Sequence, residues 1–228
     1  MVSQLQMDGT TANLQYGATQ AWVYAFTFIG GLFADKILGL RKSLFWGGIL
    51  MIIGSVILAI SPKELFFTGI GFSIVGTGFF KPNISSMVGQ LYKEGDVRRD
   101  AGFSLFYAGI NLGALLGGYV CIAVANGNLW ESFVPENLRW NYAFGFASIV
   151  MVISLLTFTQ TQKKLGEIGL SPLLNLEKSK RKMYEVLTYI GSLALIPIII
   201  LMVANTVYTD YFMMIIGPSS VLYLFYEM

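Results

Sequence analysis

The stretch GFSLFYAGINLGALLGGYVCIAVAN, residues 102–126, carries no charged side chain along its whole length. A bilayer core about 30 Å thick is crossed by ~20 apolar residues in helix, so this stretch is long enough to span. Uncharged runs recur at 18–34, 43–61, 65–80, 140–160 and 186–205. The two shorter ones, 18–34 and 65–80, reach spanning length if the helix continues past Asp35 or Lys81. A buried core in a soluble domain does not need uncharged runs of this length at such short intervals. Lipid offers the backbone no hydrogen-bond partner, so these runs are helices and not open strands. The expected fold is an all-α membrane protein. Charged residues make up 12% of the 228 positions, against about 25% in ordinary soluble domains.

The charges that remain are arranged by sign. Lys36, Arg41 and Lys42 lie in one connection, Lys93, Arg98 and Arg99 in another, and Lys163, Lys164, Lys178, Lys180, Arg181 and Lys182 in a third. The intervening connections hold only Lys63 and Arg139. Under the positive-inside rule the 36–42, 92–101 and 161–183 segments face the cytoplasm. The N-terminal stretch, the 62–64 turn and the 126–139 loop face outward. The start of the chain has neither a basic region nor an apolar core, so it is not a signal peptide.

The periodicity and breakers predict helices over about 17–38, 43–60, 61–92, 101–124, 139–159 and 184–205. Ser61-Pro62-Lys63-Glu64 has the pattern of a capping box with proline at the first helical position. Residues 161–182 read as an amphipathic or irregular linker. A last apolar piece from Tyr211 is interrupted by Gly217-Pro218. The final segment stops within an apolar stretch, so the chain is expected to be part of a longer protein.

Lys81 is the residue that points to function. It sits in GTGFFKPNISSMVGQLY (76–92), inside a membrane helix and eleven residues before Tyr92. At 1.5 Å per residue that is about 16 Å from the cytoplasmic end. A lysine at mid-membrane costs about 2.5–3.5 kcal/mol on insertion scales, so it ordinarily faces a cavity or a partner. The alternative is a snorkelling lysine whose ammonium reaches the headgroups. Tyr24 lies eleven residues before Asp35, at the same depth. Tyr107 and Asn111 are four apart and share a helix face. Together Tyr24, Lys81, Tyr107 and Asn111 would form a polar layer near the midplane, where transporters hold their substrates. For Asn111, a hydrogen bond to a neighbouring helix is the other reading. Gly109, Gly113, Gly117 and Gly118 read as a helix-packing surface.

In GGLFADKILGLRK (30–42), Asp35 ends one helix and Gly39 permits a tight turn before Arg41. The plain reading is a capped turn. The sharper one is a gate latch in which Asp35 pairs a cation or a helix N-terminus in one state only. With no histidine and one cysteine, Cys121, neither a zinc site nor a disulfide framework is expected. No carboxylate pair or activated nucleophile converges, so no enzyme is expected, and no cofactor or nucleic-acid partner.

GGLFADKILGLRK resembles the helix-turn motif of the major facilitator superfamily. GTGFFKPNISSMVGQLY and FSLFYAGINLGALLG (103–117), the latter with its FY-x-x-IN-x-G core, resemble two signatures of the proton-dependent oligopeptide transporters. The likeness covers most of residues 5–160. It implies proton-coupled symport of di- or tripeptides, with protons as the coupling ion and the lipid bilayer as surroundings. It further implies that Lys81, Tyr107, Asn111 and Tyr24 line the peptide site, and that Asp35, Gly39 and Arg41 belong to the cytoplasmic gate. Gly17 falls where animal members carry histidine, which suits a bacterial plasma-membrane protein. The family's first helix carries a glutamate–arginine–tyrosine cluster, and no E-x-x-E-R pattern occurs here. The first helix of this chain therefore matches the family's second. The expected organisation is a transporter bundle over 1–160 lacking its first helix, a cytoplasmic linker over 161–183 and an incomplete inserted helical hairpin over 184–228. The missing first helix and C-terminal half would be its partners. Another small solute such as nitrate, or a non-transporting truncated fragment, stays open as an alternative.

Overall fold

A computed structural model describes residues 7–129 and 133–227. Seven long helices make up the described chain: α1 Gly9–Phe33, α2 Leu40–Ile60, α3 Phe66–Gln90, α4 Arg98–Ala125, α5 Arg139–Thr161, α6 Lys178–Ala204 and α7 Thr206–Glu227. Five helical stretches, those containing α1, α2, α4, α5 and α6, are long and apolar enough to cross a membrane. The expected all-α membrane fold is what the chain forms. α3 is not among the five, and Lys81, Pro82 and Asn83 interrupt its apolar run.

α3 is the axis of the bundle. In lipid, helices gain little from hiding apolar surface from one another, so association relies on close van der Waals approach at small residues. α3 supplies these on several sides. A β-carbon on Gly78 would meet the Phe26 backbone of α1, and one on Gly76 the Gly47 carbonyl of α2. One on Gly69 would strike Leu58 of α2, and one on Gly71 would reach Ile200 of α6. The main core gathers Trp22 and Phe26 of α1, Leu50 of α2, Ile74, Val75 and Phe79 of α3, and Ile196, Ile199 and Val203 of α6. α6 is therefore built into the bundle. Trp46 Nε1 donates to Ser192 Oγ at 3.0 Å. Trp22 Nε1 donates to Thr209 Oγ1 at 3.1 Å, and its ring stacks on Phe212 of α7 at 4.4 Å.

Several boundaries differ from those expected. α1 begins at Gly9, not near residue 17, because Asp8 caps it. The Asp8 carboxylate accepts from the Thr11 N–H at 2.9 Å and the Thr11 hydroxyl at 2.6 Å, which holds that carboxyl below the usual carboxylate range. From Gly9 onward the stretch expected to be an external loop is helix. The Ser61–Glu64 capping box does not form. Ser61 closes α2, donating its N–H to the Ile57 carbonyl at 3.0 Å, and α3 starts only at Phe66. A residue that ends one helix in this geometry is not free to cap the next. The 161–182 linker is irregular, with short 3₁₀ turns at Gln162–Leu165 and Pro172–Asn175. α7 runs through Pro218 without the expected interruption. A proline removes one backbone donor, a loss that membrane helices tolerate through local adjustment. Residues 1–6 of the N-terminal stretch, 130–132 of the expected 126–139 loop and Met228 lie outside the described residues.

The basic connections all sit at one end. Arg41 binds carbonyls of the 162–177 linker, Gln90 at the end of α3 accepts from the Gly169 N–H, and Lys42 pairs with Glu185. In the α3–α4 connection, hydrogen bonds from Arg98 hold the Asp96 carboxyl down to about 2. At the other end, Asn141 donates to the Ala59 carbonyl and Gln15 to the Ala204 carbonyl. By the positive-inside rule the basic end is expected to be cytoplasmic. In a Cys121→Ala background, an impermeant thiol reagent applied to intact cells should leave Lys42→Cys and Lys93→Cys unlabelled. Labelling of either from outside would reverse the orientation.

Candidate functional site

Two helices deliver the central pair. α1 and α3 cross so closely at Gly30 and Gly78 that a β-carbon on Gly30 would fall on the Gly78 carbonyl. Asn83, buried in the same crossing, donates to the Phe79 carbonyl at 2.7 Å and reaches the Gly30 carbonyl at 3.5 Å. This contact fixes the two helices in depth. The Lys81 ammonium then lies over the Tyr24 ring, 5.3 Å from its centroid. Lys81 sits nine residues before the end of α3 at Gln90, or about 14 Å into the bundle. Among the described residues it pairs with no carboxylate. A cation over an aromatic face gains about 0.5–1 kcal/mol at an exposed site, well short of the solvation that a lysine at this depth forgoes. The charge is therefore held in place yet largely uncompensated.

Tyr107 and Asn111 occupy α4, nine and thirteen residues after Arg98. Tyr107 thus lies at about the depth of Lys81. The structure does not join these two side chains to the Lys81–Tyr24 pair. Tyr107 packs on Phe103 and Phe106, with centroids 6.3 and 5.5 Å away, and Asn111 makes no hydrogen bond among the described residues. The cause is the way α4 is held. Arg99 stacks on Phe103 and the Tyr92 ring covers Gly102 at one end, while Ala123, Val124 and Ala125 are buried against α5 at the other. Its middle is open: Tyr107 is 52% exposed and Leu115 69%. Among the described residues the expected packing role of Gly109, Gly113, Gly117 and Gly118 is not met, since a β-carbon on any of them would touch nothing within 4 Å.

At the turn between α1 and α2, Ala34–Leu38 winds as a π-turn and Gly39 takes a φ of +78°. A side chain at Gly39 would be strained in that backbone and would also collide with the Leu170 backbone. Arg41 does not pair with Asp35. Its Nε donates to the Ile168 carbonyl and its Nη2 to the Gly166 carbonyl, both at 2.6 Å. Ser171 donates to the Ile37 carbonyl. The 166–173 strap is therefore fastened across the turn, and Asp35 is left exposed with no ion pair among the described residues. Among those residues, no three His, Cys, Asp or Glu side chains gather as a metal site would require.

The sequence profile described as POT family matches residues 41–188. The chain belongs to the POT family. It is 41% identical over 149 residues to the uncharacterized transporter YclF of Bacillus subtilis (strain 168), covering 64% of this chain and 28% of that one. It is 36% identical over 170 residues to a di-/tripeptide transporter of Lactobacillus helveticus, covering 74% of this chain and 34% of that one. A crystal structure of a mutant peptide transporter POT in complex with alafosfalin superposes with a TM-score of 0.71 at 34% identity, over 97% of this chain and 43% of that one. The chain spans about a third or less of the length of these two curated relatives. Its relatives are transporters, not enzymes. The resemblance to the proton-dependent oligopeptide transporters drawn from the 76–92 and 103–117 motifs, both within the matched residues, is thereby established as membership.

Within this POT-family bundle, sequence reasoning passed over Asn83, Gly30 and Gly78. A polar amide two positions after a mid-helix lysine was a usable signal, because a buried polar group in lipid has to find a partner.

Proposed function

We propose that this chain forms part of the substrate-facing bundle of a proton-coupled di- or tripeptide symporter of the bacterial plasma membrane, working by alternating access. The observation that carries the reading is the Lys81 ammonium, held at mid-membrane depth by the Tyr24 ring with no carboxylate beside it among the described residues. Such a charge can balance a carboxylate of the substrate or of the proton-coupling machinery. The Tyr24, Tyr107 and Asn111 side chains, all open to the surroundings, supply hydrogen-bond donors and acceptors suited to peptide groups. Asp35, Gly39 and Arg41 act at the cytoplasmic gate. Membership of the POT family and likeness to a named di-/tripeptide transporter support this reading.

A lone cation also suits nitrate, so the test is one of competition. Vesicles carrying the full-length transporter should accumulate labelled dipeptide under an imposed proton gradient. Excess unlabelled dipeptide should abolish that signal and excess nitrate should not. Competition by nitrate alone would assign the site to small anions.

A further inference from the structure

Tyr24 and Phe26 point to opposite sides of α1, and the side away from Lys81 has its own feature. Between α1 and α6 runs a groove of about 360 Å³. Its walls extend from Phe26 on α1 to Ile37 in the π-turn that follows, and from Tyr184 to Leu195 on α6, with the buried Phe79 of α3 as its floor. Each wall is twelve residues long, and its eleven steps span about 16 Å. That is half of a hydrocarbon core about 30 Å thick, so the groove runs from the basic end of the bundle to its midplane, the depth of one leaflet. The lining is apolar in effect. Thr188 donates to the Tyr184 carbonyl at 2.9 Å. Ser192 donates to the Tyr189 carbonyl at 2.7 Å and accepts from Trp46. The Thr188 and Ser192 hydroxyls are thus engaged within the helices, and the Tyr184 phenol stands at the basic end of the wall.

By sequence position and helical spacing, two lysines fall next to the basic ends of the two walls. Lys36 adjoins Ile37, and Lys180 lies one helical turn before Tyr184 on the same stripe of α6. Both are exposed and neither is ion-paired among the described residues. Their neighbours differ. Lys42 and Arg181 both engage Glu185, and Lys178 and Lys182 project from other faces of α6. The start of α6, KSKRK (178–182), sets four cations against Glu177 and Glu185.

We propose that this groove binds one anionic phospholipid of the cytoplasmic leaflet, with an acyl chain along α1 and α6 and the phosphate between Lys36 and Lys180. Three features select that occupant over a protein partner. The groove is as deep as one leaflet, its charge lies only at the headgroup end, and basic pockets between helices on the cytoplasmic side suit anionic headgroups. The lipid would bridge α1 to the start of α6 and is independent of peptide binding.

The test is native mass spectrometry of the full chain in mild detergent, incubated with equal amounts of phosphatidylglycerol and phosphatidylcholine carrying the same acyl chains. The wild type should retain one phosphatidylglycerol in preference. Lys36→Gln with Lys180→Gln should cut that preference about tenfold or more, as expected from two interfacial cations. Lys178→Gln with Lys182→Gln should keep it. Gly191 lines the groove and a β-carbon there meets nothing within 4 Å. Gly191→Phe therefore fills the groove without changing a charge, and should abolish retention while the helical circular dichroism stays intact. Equal retention of the two lipids by the wild type would overturn the proposal. So would equal loss in the Lys178/Lys182 control. Undiminished phosphatidylglycerol binding by Gly191→Phe would reduce the site to surface attraction by the basic cluster.

Discussion

Lys81→Ala in the full-length transporter is expected to abolish proton-driven dipeptide accumulation while the protein inserts into the membrane as well as the wild type or better. Both halves follow from one placement. The ammonium is about 14 Å from the end of α3, and its nearest compensation is the Tyr24 ring at 5.3 Å. A lysine at such depth opposes insertion by about 2.5–3.5 kcal/mol, so its removal eases insertion. A charge-assisted hydrogen bond to substrate or to a coupling carboxylate is worth about 1.5–3 kcal/mol, and its loss corresponds to a decrease of about 10- to 150-fold in uptake. Tyr24→Leu should act in the same direction but less strongly, because it removes the aromatic platform and leaves the charge. The measurement is accumulation of labelled dipeptide in energised vesicles, normalised to inserted protein. Normal accumulation by Lys81→Ala would sink the assignment, and Lys81 would then be a snorkelling lysine with a structural role.

Much of this arrangement was legible because lipid imposes a simple rule on sequence. A chain that must satisfy its backbone internally and shed its charges leaves long uncharged runs, and those from 18–34 to 186–205 became α1 to α6. The sign alternation of the connections was equally direct. Lys36, Lys93 and Lys163 stand in different loops, yet the basic loops gather at one end of the bundle. The depth match between Tyr24 and Lys81 came from counting residues, and the cation over the ring bears it out.

Which faces meet was not legible. α3 carries Gly69, Gly71, Gly76 and Gly78, and α4 carries Gly109, Gly113, Gly117 and Gly118. Both sets are small-residue surfaces at helical spacing, and nothing local distinguishes them. The α3 glycines meet the backbones or side chains of three other helices, while the α4 glycines meet open space. Small residues permit close approach, but a partner of matching shape decides whether it happens. The joining of Tyr107 and Asn111 to Lys81 fell on the same uncertainty, since both depend on what α4 packs against. Caps were not legible for a related reason: Asp8 and Ser61 are both good capping types, but Ser61 is taken up in closing α2 while Asp8 opens α1.

Gly78→Leu should be among the most damaging single changes to the bundle. A β-carbon at this position lies 2.6 Å from the Phe26 carbonyl oxygen and 2.7 Å from the Phe26 carbonyl carbon. Backbone atoms within a hydrogen-bonded helix cannot rotate aside as a side chain can, so α1 and α3 have to separate. Overpacking of ordinary side chains costs about 1–3 kcal/mol, and a clash with backbone belongs at or above the top of that range. Separation would also break the Asn83 contact to Gly30 and move Tyr24 off Lys81, so the substitution should lower both thermal stability and uptake. Gly109→Leu is the matched control: it adds the same apolar bulk to a spanning helix where the β-carbon meets nothing within 4 Å. In detergent, Gly78→Leu should unfold at a clearly lower temperature than the wild type, and Gly109→Leu close to it. Equal melting temperatures for the two variants would mean that α1 and α3 do not cross at Gly30 and Gly78, and the geometric basis for pairing Tyr24 with Lys81 would go with it.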